Sequence, residues 1–85
     1  MVELHVKLNT DEEINRFVFI NNSIHYDTDL VCGKKVVDAK SMLGILSLDL
    51  SNVLTLLINA DRREESWLKK LYEPLYQGKD FLIRA

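Results

Sequence analysis

Eighty-five residues with 47% hydrophobic and 28% charged content make an ordinary globular composition, expected to form one domain over 1–85 with its core at about 2–77 and a tail at 78–85. A net charge of −2 provides no broad basic face, which argues against nucleic acid or anionic lipid as partners, and no apolar run nears the ~18–20 residues of a membrane span. Glu3, His5 and Lys7 interrupt the N-terminal apolar positions, against a signal peptide, and the single Cys32 cannot build a disulfide framework; the expected compartment is the reducing cytoplasm.

Val2 to Leu8 alternates apolar and polar residues, the pattern of a half-buried strand with Val2, Leu4, Val6 and Leu8 inward. Thr10-x-x-Glu13 is a capping box for the helix that follows. Asp11, Glu12 and Glu13 crowd its first turn, where the helix dipole favours carboxylates. Ile14, Phe17, Val18 and Asn21 share one face, with Phe17 and Val18 the leading core candidates, and Asn21-Asn22-Ser23 closes the helix. His25-Tyr26-Asp27 reads as a connection.

Leu30 to Cys32 is a short strand, turned by Gly33-Lys34 into a second strand, so the two form a tight hairpin. Val37 and Ala39 take one face of the second strand, while Val36, Asp38 and Lys40 take the other. Ser41 is suited to cap a short helix in which Met42, Ile45 and Leu46 fall at i, i+3 and i+4. Gly44 within it permits close approach of another backbone or a partner. Val53 to Ala60 is the most apolar strand, with Leu54, Leu56, Ile58 and Ala60 inward and Thr55, Leu57 and Asn59 on the open face. Asp61-x-x-Glu64 is a second capping box, opening a helix with Leu68, Leu71, Tyr72 and Leu75 on its core side. Pro74 should kink or end that helix, and Gly78 leads into a tail with Phe81-Leu82-Ile83.

The order strand, helix, strand, strand, short helix, strand, helix fits an α+β arrangement with one antiparallel sheet and helices on a single face. Within it, Ala39-Lys40-Ser41-Met42-Leu43-Gly44-Ile45-Leu46-Ser47-Leu48 matches without a gap the A/L-K-S-[IML]-[ML]-G-[IVL]-[ML]-S-L signature. The chain therefore resembles the HPr family of the bacterial phosphoenolpyruvate:sugar phosphotransferase system, over roughly residues 3–77 in element order. That resemblance implies an open-faced two-layer sandwich, a four-stranded antiparallel sheet in order 1-4-2-3 with three helices on one face. It implies a cytoplasmic protein of sugar transport and carbon catabolite repression that carries phosphate rather than acting as an enzyme.

Phosphocarriers of the family accept phosphate from Enzyme I on a histidine at the start of the first helix, in a G-[ILF]-H-A-R-P-A motif. An exposed imidazole is the nucleophile there, and helix amides and an arginine stabilise the phosphoryl group. Here Leu8-Asn9-Thr10-Asp11-Glu12-Glu13-Ile14-Asn15-Arg16 holds neither that histidine nor its flanking glycine and proline. Matching the neighbouring strands puts Glu12 or Glu13 at the histidine's place, where carboxylates repel an incoming phosphoryl. An acidic start that imitates phosphohistidine is a sharper alternative to a plain helix-start device. His5, on the polar face of a strand, and His25, past the far end of the helix, read as surface histidines, and no residue spacing suggests a metal or cofactor.

Ser41 is the second candidate. Many members are phosphorylated on this serine by an ATP-dependent HPr kinase, and the product binds a transcriptional regulator; the plainer reading is a helix cap. The third candidate is a docking patch of Met42, Leu43 and Leu46 with Lys40, since the family positions matching Leu43 and Leu46 dock partner proteins; Ile45 and Leu48 read as core. Cys32 reads as a small strand residue, and Trp67, Tyr72 and Tyr76 as helix packing or a stacking surface. Together these features favour a non-catalytic regulatory or adaptor protein, as in a family member that lacks the histidine and keeps the serine. The alternatives are a phosphocarrier with an unrecognised acceptor, or a binding module sharing only the fold.

Overall fold

Alternation in the first strand and the capping box after it set the first two elements, and both form in the computed structural model, which describes residues 1–73. The elements are β1 (Val2–Val6), α1 (Asp11–Ser23), β2 (Thr28–Cys32), β3 (Lys35–Asp38), α2 (Met42–Leu46), β4 (Leu54–Ile58), a 3-10 turn (Arg62–Glu64) and α3 (Glu65–Tyr72). The strands form one sheet in order β1-β4-β2-β3 with every neighbour antiparallel. The three helices cover one face of it, a two-layer arrangement in the strand order that the sequence resemblance implied.

Register explains the core. Leu4 and Leu30 both lie opposite Leu56, and Val2 and Thr28 both lie opposite Ile58, so one face of the sheet carries a continuous apolar layer. Phe17, Ile45, Leu68 and Tyr72 descend onto that layer from the helices and are fully buried. β1 ends two residues before Leu8, yet Leu8 still closes the core. Leu54 opens β4; Val53 before it is 44% exposed. Gly33, with φ of 61°, makes the two-residue β2–β3 hairpin turn in the left-handed region that glycine enters without strain.

Two readings are corrected. Val18 is only half-buried beside the core, because the buried arc of α1 runs through Ile14, Phe17 and Asn21 instead. The second capping box does not close: Asp61 accepts from the Arg63 N–H at 2.9 Å, but the Glu64 carboxylate turns away to accept from the Trp67 indole. That frees the chain to begin with a 3-10 turn before α3. Of the two readings for Trp67 and Tyr72, helix packing holds for Tyr72, which is fully buried, while Trp67 is 41% exposed. Leu71 is half-buried against the core. The readings for Pro74, Leu75, Tyr76, Gly78 and Phe81-Leu82-Ile83 lie outside the described residues.

Candidate functional site

The start of α1 is closed on itself. Thr10 takes the N-cap, its hydroxyl accepting from the Glu13 N–H at 3.1 Å. The Glu13 carboxylate reaches back to accept from the Asn9 N–H at 2.8 Å and the Thr10 N–H at 3.2 Å. The Asn9, Thr10 and Glu13 amides at this helix start are thus taken by the protein's own side-chain oxygens. Asp11 and Glu12 are exposed in the same first turn. No histidine stands between positions 5 and 25. His5 lies on the uncovered face of β1 with its Nε2 3.2 Å from the Glu3 carboxylate, and His25 is exposed beyond the end of α1. Among the described residues, no group of three or more histidine, cysteine or acidic residues could hold a metal ion.

The second region is the turn from β3 into α2, and it is tightly built. Asp38 accepts from the Lys40 N–H through its side chain and from the Ser41 N–H through its backbone carbonyl, at 2.9 and 3.0 Å. Asn22 Nδ2 donates to the Lys40 carbonyl at 3.2 Å, and the buried Asn21 donates to the Ala39 carbonyl at 2.7 Å. Ser41 then caps α2, its Oγ accepting from the Gly44 N–H at 3.1 Å. At the other end of this five-residue helix, Ser47 donates to the Gly44 carbonyl and Lys35 Nζ donates to the Ser47 carbonyl at 3.0 Å. A lysine there also complements the negative end of the helix dipole. Beyond it, two hydrogen bonds from Ser51 hold the Asp49 carboxyl below the usual carboxylate range, fixing the turn toward β4.

Helix α2 sorts its apolar side chains by angle. Ile45 is fully buried, and Leu48 just past the helix is nearly so, whereas Leu43 is 82% and Leu46 53% exposed. Leu43 and Leu46 are three residues apart and therefore neighbours on the outer surface. Met42 is partly buried against the core. Lys40 is half-buried, and its ammonium donates to the Ile24 carbonyl at 3.1 Å, at the C-cap of α1. Of Lys40, Met42, Leu43 and Leu46, the last two are the exposed ones. A Cβ at Gly44 would stand 3.2 Å from the Val37 Cβ, so any larger residue there needs Val37 to give by a few tenths of an ångström.

The residue whose role sequence reasoning missed is Asn21. Its place on the inner arc of α1 was visible, but the contact that uses it comes from Tyr72 on α3. A polar residue within an apolar helical stripe was the available signal.

No protein-family model matches this chain, and no curated protein matches its sequence. Solved structures do match. That of HPr-C-His from Thermoanaerobacter tengcongensis is 26% identical with a TM-score of 0.71, covering 88% of this chain and 90% of that one. The chain is an HPr-like protein. A phosphocarrier protein HPr from Bacillus anthracis, 21% identical with a TM-score of 0.65, shares the fold over 89% of this chain and 96% of that one. In this HPr-like protein, the same sheet order and helix placement set the N-terminus of α1 and the Ser41-capped α2 on the helical layer. Among the described residues, no helix is long and apolar enough to cross a membrane.

Proposed function

We propose that this HPr-like protein is a non-catalytic regulatory or adaptor protein that binds protein partners through the outer surface of α2. The observation that carries the reading is the contrast between the two helix starts. At α1, side-chain oxygens of Thr10 and Glu13 take the Asn9, Thr10 and Glu13 amides, beside exposed Asp11 and Glu12, and no histidine is present. At α2, a rigidly capped turn presents Leu43 and Leu46 to solvent. A nucleophile that accepts phosphate needs an exposed imidazole with amides free to receive the phosphoryl oxygens. A docking site needs a small, pre-ordered apolar surface. The exposed Leu43–Leu46 pair supports the second role, and the lack of a histidine at the start of α1 speaks against the first.

The partners in this reading are protein components of a phosphotransferase system, or a regulator that such a system controls. Ser41 belongs to the same proposal as a modification site for an HPr kinase. A phosphate on its oxygen would lie beside the apolar patch and change the charge that a partner meets there. Supporting this, Ser41 is half-buried at the edge of the patch, its hydroxyl oxygen accepting from the Gly44 N–H at the helix start.

Two measurements test the reading together. Incubation with phosphoenolpyruvate and Enzyme I should leave no acid-labile phosphate on the protein. Titration of the isotope-labelled protein with purified phosphotransferase components should shift the amide signals of residues 41–48 first. Stoichiometric label on His5 or His25 would instead make the chain a phosphocarrier with a different acceptor.

A further inference from the structure

The sheet face away from the helices has no element over it among the described residues, and its side chains are not those of a plain solvated surface. Register sets them in rows across the four strands. The central row is His5, Thr55, Val31 and Val36, with Val31 directly opposite both Thr55 and Val36. Val36 and Val53 are 58% and 44% exposed, and Leu57 and Val31 are partly so, leaving an apolar band on this face. At one end of the strands stand Glu3, Asp29 and Asp38, with Asp29 directly opposite Asp38, a like-charge pairing that weakens a sheet. At the other end stand Lys7, continuing β1, and exposed Lys34 in the β2–β3 turn.

These charges are placed strand by strand. A two-fold axis lying in the face, along the central row, reverses the strand direction and keeps each strand's lateral position. It would set Lys34 of one copy over Asp29 and Asp38 of the other, and Lys7 over Glu3. Val31 and Val36 would meet their own counterparts. We propose that this open face is a surface on which two copies of the chain associate, weakly and isologously, with the like-charge Asp29–Asp38 pair relieved by the partner's Lys34. The contact carrying most of the complementarity is that of Lys34. Lys7 already donates to Asn9 Oδ1 and the Leu50 carbonyl and has Asp49 near it, and Glu3 is paired with His5.

Size sets the expected strength. Four strands ~4.8 Å apart and five residues long give a face on the order of 300 Å² per copy, against about 800 Å² in a stable complex. The association is therefore concentration-dependent, and salt weakens it. It lies on the opposite side of the sheet from α2, so it neither rests on the docking reading nor decides it.

The test is a dilution series of the full chain from about 1 mM to about 10 μM, by sedimentation and amide chemical shifts at low salt; this range brackets weak interfaces. The expected result is partial dimer at the top of the range, with shifts concentrated at Val31, Val36 and Thr55. Lys34→Glu should weaken it at least fivefold, and adding Asp29→Lys to that variant should restore it. Amide dispersion checks that each variant is folded. A monomer at every concentration, shifts confined to Leu43 and Leu46, or a dimer indifferent to the Lys34→Glu exchange would overturn the proposal.

Discussion

The Tyr72 hydroxyl donates to Asn21 Oδ1 at 2.6 Å, inside the core and across 51 positions of the chain. Asn21 passes the connection on, its Nδ2 donating to the Ala39 carbonyl at 2.7 Å. One line of hydrogen bonds thus ties α3 to α1 and to the turn that presents α2. The Tyr72 ring also packs against Phe17 at a centroid distance of 5.8 Å.

Tyr72→Phe keeps the ring and leaves the Asn21 oxygen buried without its donor, which should cost about 1–3 kcal/mol. Urea unfolding at neutral pH measures it. Burial also pushes the Tyr72 phenol well above its ordinary value. The folded state therefore holds this proton after the unfolded chain has lost it. The stability concerned is fully present below the unfolded tyrosine pKa of about 10 and is lost as pH rises above it. The wild type should lose stability between neutral pH and about pH 11, and Tyr72→Phe should lose less over the same interval. Equal losses would show that another group governs the alkaline limb.

Leu43 and Ile45 flank Gly44 and differ from 82% exposed to fully buried. Leu43→Asp should change stability by no more than ~0.5–1 kcal/mol and abolish partner-induced shifts at residues 41–48. Ile45→Asp should prevent folding, because an unpaired carboxylate is forced into the core. Equal destabilisation by both would sink the patch assignment. Thermal melts and one titration are sufficient to decide.

Gly44 is a mid-helix glycine at which a Cβ would approach the Val37 Cβ to 3.2 Å. In a helix alanine is otherwise favoured over glycine by roughly 0.8–1 kcal/mol. Gly44→Ala should therefore yield little or destabilise in the natural background, yet stabilise in a Val37→Ala background. The expected coupling exceeds ~0.5 kcal/mol in a double-mutant cycle. Additivity would mean that the two side chains do not compete for the space.

Thr10 and Glu13 form a reciprocal cap at α1. Thr10→Ala should cost about 0.5–2 kcal/mol, as expected for loss of an N-cap. Glu13→Gln retains an acceptor for the Asn9 and Thr10 amides and should cost less than Glu13→Ala. If the carboxylate's negative charge were what mattered, Gln and Ala would be equally costly. Chemical denaturation of the three variants distinguishes hydrogen bonding from charge.

Local grammar in the sequence determined much of this protein. The period-two alternation of β1, the Thr10–Glu13 box, the glycine at the β2–β3 turn and the Ser41 cap each act within four residues, so their physics is present in the chain itself. The gapless Ala39–Leu48 run carried the family resemblance, and with it the sheet order. Tertiary structure alone decided which oxygens and amines are spent on the protein itself. Lys40 reaches the Ile24 carbonyl sixteen residues away, and Asn21 meets Tyr72 across 51. Those choices depend on which elements pack together, because a polar side chain entering a core must satisfy its hydrogen bonds with whatever group the fold brings within about 3 Å. Sequence spacing fixes the face on which such a residue stands; only the packed neighbour fixes its partner.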